Sequence, residues 1–333
     1  MIKALLGSRG NRPRLTVAGL FLAAAAGVVA AYAHAGIYGF NALLRRGPTL
    51  WISVTPDDAR LSASMRLALR EPHPMGTAGP FTWQRVAQGF EVAELPVTAE
   101  GIEVDRILLA RIDPARFRFV VRNSPAGDKD VTKWLDELDA ALIINASYFL
   151  PDGKPETPFL SNGALLGPHN YDARHGAFVT SGRVTDIRDL ANEDWRAVFR
   201  GAEHAMVSYP LLVAADGSNR VKADDRWLAN RSFIGLDGSG NVVLGTTMEA
   251  FFSLNRLATF LRAAPLGLVK ALNLDGGPLA CQAISLGSYR RDFCGKWELA
   301  APGGDLKLLT WTFAANRPWA LPNVLAVRRR ESS

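Results

Sequence analysis

One aspartate flanked by glycines stands out as a group able to do chemistry. Residues 268–277, Leu-Val-Lys-Ala-Leu-Asn-Leu-Asp-Gly-Gly, run from apolar residues into Asp275-Gly276-Gly277. That pattern predicts a buried strand delivering one carboxylate and two residues without side chains to the end of a sheet. Gly276 and Gly277 let a ligand approach the backbone, and Asp275 can serve as base, nucleophile or metal ligand. The plainer reading of the three residues is a hairpin turn. Arg231 is the candidate for holding an anion, because its planar fork suits a bidentate oxyanion; an ion pair at a strand start is its plainer fate. Asn145 and Asn273 offer amides at predicted strand ends, where capping a turn would also explain them. His169, His175 and His204 lie near these positions, and of the three only His175 is carried forward as a site residue. No CxxC or HxxxH spacing occurs, so the sequence identifies no metal ligands.

The elements that must position these groups are mostly strands. Segments 88–97, 104–112 and 116–121 alternate as strands, with turns at Glu100-Gly101 and Asp113-Pro114. A short helix is predicted over 129–138, leading into the apolar run 140–144. Residues 145–175 are too rich in Pro, Gly, Asn and aromatics for regular structure, and loops of that length are usually functional. Strands return at 176–180, 205–213 and 232–236, and a hairpin at 237–240 leads into 242–246. Ser253 caps a helix over 253–263 with Leu254, Leu257 and Leu261 on one face. Upstream, Thr55 is predicted to cap a helix that aligns Leu61, Met65 and Leu69, followed by a Pro/Gly linker to residue 80. The fold class is therefore α+β: a mixed, strand-rich central sheet with a few flanking helices.

The chain of 333 residues, 48% hydrophobic, can bury a substantial core. Its net charge of +6 is spread thinly, with no basic–aromatic cluster, which argues against nucleic acid as a partner. Residues 15–44 contain no Lys, Arg, Asp or Glu, and about 20 apolar residues suffice to span a bilayer. Lys3, Arg9, Arg12 and Arg14 precede this run, a bias that keeps the start cytoplasmic. The expectation is one N-terminal transmembrane helix, single-pass in the cell inner membrane, with the globular part periplasmic. Ala33-His34-Ala35 would instead release a secreted protein if the run were a signal peptide. The boundaries expected are 1–46 for cytoplasmic tip and anchor, 47–80 for helix and linker, 81–327 for the globular domain and 328–333 for a basic tail. Cys281 and Cys294 are the only cysteines, and in an oxidising compartment they are expected to form a disulfide.

Four segments, in this order, resemble the phosphodiester glycosidases. They are Ile144-Asn145-Ala146-Ser147-Tyr148-Phe149, Ser161-Asn162-Gly163, Arg231-Ser232-Phe233-Ile234-Gly235 and Ala271-Leu272-Asn273-Leu274-Asp275-Gly276-Gly277. Residues 206–213 are similar to the segment between, and the likeness covers residues 80–326. It implies a membrane-anchored hydrolase that removes a sugar from a sugar-1-phosphodiester in envelope glycans or glycolipids. Asp275 would then act at the anomeric carbon and Arg231 at the phosphate. Asn145, Asn273, Gly276, Gly277, Tyr148, Asn162 and His175 would surround the substrate. Glu249 is taken as the second catalytic carboxylate, with Asp152 and Glu156 of the long loop as alternatives. No cofactor is expected, and a divalent cation is left open. After Asp-Gly-Gly the chain continues with Pro278, which lacks the N–H that could bind a substrate oxygen. The alternative function is a catalytically silent module of the same fold that binds envelope glycan or phosphate.

Overall fold

The computed structural model describes residues 12–311 and 318–330. At its centre lies an eight-stranded sheet whose main path runs Leu211–Val213, Leu268–Asn273, Ser232–Asp237, Val242–Thr247, Ile102–Ile112, Phe90–Ala99 and Thr77–Ala78, with Gln84–Ala87 pairing beside Phe90–Ala99. Its neighbours pair antiparallel, not in the mixed arrangement expected. Three of these pairings are closed by short hairpins, Asp237–Asn241 among them, and a hairpin can only join antiparallel strands. Both faces of the sheet are buried, so its strands read as continuous apolar runs. Phe233, Val243 and Leu109 face one core with the Leu254–Ala263 helix. Ile234, Leu244 and Ala110 face a second core.

A five-stranded sheet closes that second core: Tyr289–Cys294, Cys281–Leu286, Leu142–Asn145, Asn323–Arg329 and Phe117–Asn123. Its outer face is covered by the Val131–Glu137 helix, which Asp130 caps and whose Trp134 indole donates to the Leu321 carbonyl at 2.8 Å. Another five-stranded sheet, built on Gly176–Ser181 and His204–Ser208, packs beside it under the Trp195–Phe199 helix. A four-stranded sheet joins Thr49–Ser53, Lys307–Trp311, Glu298–Ala300 and Leu228–Ala229. One central sheet was expected, and four are present among the described residues.

Several expected boundaries shift. The helix predicted from Thr55 begins at Ala63, because Ser62 accepts the Met65 N–H while Asp58 ties up Arg60 in a turn. Leu61, Met65 and Leu69 still share one core. The expected 205–213 strand is broken at Tyr209-Pro210 into two strands in different sheets. Residues of the expected linker and tail contribute strands: Thr77–Ala78 joins the large sheet and Asn323–Arg329 runs through the expected boundary at 328.

The expected transmembrane helix needs correction. A helix spans Arg12–Arg46, but Gly36 leaves helical geometry at φ 65° and splits it. Beyond the break the segment docks on the domain: Tyr38 is buried against Phe149 and donates to the Ala320 carbonyl, and Asn41 donates to Ala126. Among the described residues no helix is long and apolar enough to cross a membrane. The cytoplasmic tip up to residue 11 lies outside the described residues, as do residues 331–333 of the basic tail.

Cys281 and Cys294 form the expected disulfide across two directly paired strand positions, 13 residues apart. Closing such a loop contributes about 3 kcal/mol in the chain-entropy account. The double substitution Cys281→Ala/Cys294→Ala should therefore lower unfolding free energy by about that amount, read as an earlier denaturation midpoint. Thiol labelling of the unreduced, denatured protein should find no reactive thiol.

Candidate active site

The Leu268–Asn273 strand ends where its antiparallel sheet neighbours Ser232–Asp237 and Leu211–Val213 begin, and the chain there is pinned by backbone contacts. Leu274 N–H donates to Ser232, Asp275 N–H to Ala146 and Gly277 N–H to Asn230. Asn145 links both sides of the turn. Its amide donates to the Asp275 carbonyl at 2.6 Å, and its oxygen accepts the Cys281 N–H. Asp275-Gly276-Gly277 is thus no hairpin turn: it carries the chain from the large sheet into a short 3-10 turn, Gly277–Leu279, that holds Pro278.

The glycines are required by close approach. A Cβ at Gly276 would lie 3.0 Å from the Asn230 carbonyl oxygen and 3.6 Å from an Arg231 guanidinium nitrogen. Gly277 adopts φ +63°, and its Cβ would overlap the Glu298 carboxylate. Two charged side chains therefore crowd this backbone. Arg231 is buried, its guanidinium donating to the carbonyls of Trp227 and Phe252. Glu298 accepts the Trp227 indole N–H at 3.2 Å. Asn230, just before Arg231, fixes the corner: its oxygen accepts the Lys296 and Trp297 N–H groups, and its amide donates to Thr247.

The electrostatics follow from this crowding. Burial of the Asp275 carboxyl, reinforced by Glu298 and Glu156, pushes its pKa up to about 7, against the opposing pull of the Gly276 N–H and Arg231. Burial likewise raises Glu298, which Arg231 partly offsets. Asp275 thus faces one guanidinium and two other carboxylates, Glu298 and Glu156, and burial together with those two charges holds its carboxyl above the ordinary carboxylate range.

Tyr148 and Tyr209 stack at 4.2 Å beside this cluster. Tyr148 hydroxyl donates to the Tyr209 carbonyl and accepts from the Asn273 amide at 2.8 Å, while Asn273 Oδ1, fully buried, has no hydrogen-bond partner. Tyr209 hydroxyl reaches the Glu156 carboxylate at 3.4 Å, and His175 packs against the Tyr209 ring at 5.3 Å. Burial, with Arg220 nearby, lowers the His175 pKa.

The structure therefore brings together Asp275, Arg231, Asn145, Asn273, Gly276, Gly277 and Tyr148, with His175 at the edge of the tyrosine stack. Glu249 belongs elsewhere. Its backbone N–H and that of Met248 are clamped by the buried Asp105 carboxylate at 2.8 and 3.0 Å, and its side chain faces Ser62 and Lys296. The carboxylates facing Asp275 are instead Glu298, which the sequence reading missed, and Glu156, one of its alternatives. Glu298 sits on a three-residue strand with no motif around it, so no local signal marks it. Asn162 also lies away from the cluster, in a turn whose N–H donates to His204 Nδ1. Among the described residues no group of three His, Cys, Asp or Glu side chains is placed to hold a metal ion.

A family model described as phosphodiester glycosidase matches residues 139–327. Among solved structures, a hypothetical protein from Synechocystis aligns with a TM-score of 0.54 at 15% identity, over 77% of this chain and 68% of that one. The catalytic domain of zebrafish N-acetylglucosamine-1-phosphodiester alpha-N-acetylglucosaminidase, auto-inhibited by its pro-peptide, aligns with a TM-score of 0.51 at 14% identity, over 85% and 88%. At such identities these two likenesses are of fold. No curated protein matches the sequence.

Proposed function

Because the chain belongs to the phosphodiester glycosidase family, we propose that it is an exported hydrolase cleaving the anomeric C–O bond of a sugar-1-phosphodiester. One observation carries this reading: a carboxyl with a pKa near neutrality, Asp275, is fixed on a glycine turn against a buried guanidinium, Arg231. In its ionised form Asp275 takes the proton of the attacking water, whose oxygen bonds to the anomeric carbon. The C–O bond breaks, the phosphate leaves as a phosphomonoester, and a free sugar is the other product. Arg231 faces the charge on the leaving phosphate, and Glu298 holds the Arg231–Trp227 corner in place. The Tyr148–Tyr209 stack gives the sugar a flat wall, and Asn145 and Asn273 fix the turn beneath it. Export is supported by the disulfide, which forms in oxidising compartments, and by the uncharged N-terminal run; an envelope glycan or glycolipid is the substrate class this placement suggests.

The zebrafish enzyme's name supplies the first probe, an N-acetylglucosamine-1-phosphodiester. Hydrolysis in 18O-water should place the label in the released sugar. Label in the phosphate would mean P–O cleavage and would sink the assignment of Asp275 to the anomeric carbon. Absence of turnover with retained glycan binding would favour a binding module.

Two expected outcomes arise here. Turnover should rise with pH through about 7, because Asp275 acts in its ionised form, and Asp275→Asn should abolish that limb. Arg231→Lys keeps the charge and loses the fork, so it should raise KM for phosphodiesters about tenfold while barely changing that for simple aryl glycosides. An equal change for both substrate classes would remove Arg231 from the phosphate.

A further inference from the structure

The outer edge of the five-stranded sheet that carries Asn145 holds a concentration of positive charge that the proposed reaction does not use. Arg118 and Arg122 lie on one face of the edge strand Phe117–Asn123. On the neighbouring Asn323–Arg329 strand, Arg328 stands directly opposite Arg118. Like charges in directly opposed positions repel. Here neither Arg118 nor Arg328 has an ion-pair partner among the described residues. Arg122 is oriented by donating to the Val121 carbonyl and to Ser161 Oγ, neither of which neutralises it.

These guanidiniums line a cavity of about 400 Å³ between the edge strand and the Ser161-Asn162-Gly163 turn, with His204 on its wall and Glu203 as its one acidic lining residue. The Asn162 N–H donates to His204 Nδ1, so a neutral His204 carries its proton on Nε2 and is a hydrogen-bond donor through that atom. A second cavity of about 380 Å³ shares Arg118 and Arg328 and adds Arg329 and Arg330, with Asp139 as its acidic member. The excess of fork-shaped donors over carboxylates continues along the sheet edge through both cavities. Guanidinium forks match the tetrahedral oxygens of phosphate.

We propose that this cavity is a second phosphate site, which takes a phosphate group through Arg118, Arg122 and Arg328 and favours ligands carrying several phosphates in a row. Arg122 stands level with Asn145 across Val324, two strands away, and Arg118 lies four residues, about 13 Å, farther along the same strand. The site does not depend on the hydrolase reading.

The test is calorimetric titration of the full chain at low salt with inorganic phosphate and with linear tripolyphosphate, alongside flotation with phosphatidylglycerol vesicles to distinguish a free phosphate from a lipid headgroup. Tripolyphosphate should bind more tightly than phosphate, more weakly as salt rises, and about tenfold or more weakly to Arg118→Ser/Arg328→Ser. Arg231→Met should leave this binding component in place. Because the double variant removes a repulsive pair, its melting temperature without phosphate should be no lower than that of the parent, and added tripolyphosphate should no longer raise it. Vesicle flotation lost in the same variant, without tripolyphosphate binding, would place the phosphate on a lipid. If the double variant misfolds, Arg122→Gln should show the same loss. No binding of either probe or of vesicles, or binding unchanged in these variants, would overturn the proposal.

Discussion

Asp275→Asn should lower turnover about a thousandfold, the scale of a proton-transfer group removed from its site, and leave the fold intact. The turn does not need the charge. Asp275 is held by its own N–H on Ala146 and by its carbonyl on the Asn145 amide, and an asparagine oxygen can still accept the Gly276 N–H. Stability gives an independent reading. The folded pKa of about 7 lies above the ordinary carboxylate value of 3.8, so between them the unfolded chain ionises and the folded one does not. The Asp275 contribution to stability is therefore fully present below about 4 and is lost as pH rises through about 7. Asn lacks this loss, so the variant should gain stability relative to the parent on going from pH 4 to pH 8. Thermal unfolding at the two pH values checks the sign. A constant difference would mean that Asp275 is not held in its neutral form, and undiminished hydrolysis would defeat its catalytic role.

Gly277→Ala should be nearly as damaging to activity. Part of its cost is conformational, since φ +63° costs an L-residue about 1–2 kcal/mol. The rest is steric: the new Cβ would lie 3.0 Å from the Glu298 carboxyl carbon and overlap its oxygen, driving that carboxylate away from Trp227 and Arg231. Gly101→Ala separates the two effects, because Gly101 also has positive φ, at +80°, but nothing within 4 Å of a Cβ. The expected pattern is a similar loss of melting temperature from the shared backbone cost, larger at Gly277, with activity falling about a hundredfold only there. Matching activities in the two variants would show that Glu298 has no part in the reaction.

How much of this site could be read from the sequence depends on how local each signal is. Asp275 was legible because a buried strand ending in Asp-Gly-Gly states its own geometry, and Arg231 because it opens a neighbouring strand in the same resemblance. Glu298 was not, because it enters the site through the pairing of Ala229 with Glu298 itself, two residues far apart in the chain. Glu249 misled for a related reason. It follows the right strand, but the distant Asp105 captures its loop through two backbone N–H groups and turns the side chain away. Alternation identified the strands of the large sheet, yet it could not show that both of its faces are covered or that its strands run antiparallel. Tyr209-Pro210 divides one apolar run between two sheets, and nothing in the hydrophobic pattern marks the break.

The strand order also bears on how the protein must be made. Leu142–Asn145, which carries Asn145 to the turn, is flanked on one side by Cys281–Leu286 and on the other by Asn323–Arg329. Both partners are synthesised long after it, and Asn123 waits for Asn323, 200 residues later. Until Cys281–Leu286 emerges, an apolar strand destined for the interior has two open edges, and it keeps one until Asn323–Arg329 follows, the condition under which chains mispair or aggregate. Such long-range closure slows folding, because the entropy of closing the loop is lost before the contacts form. Truncation even a few residues before Arg329 should therefore cost far more than the loss of a surface tail.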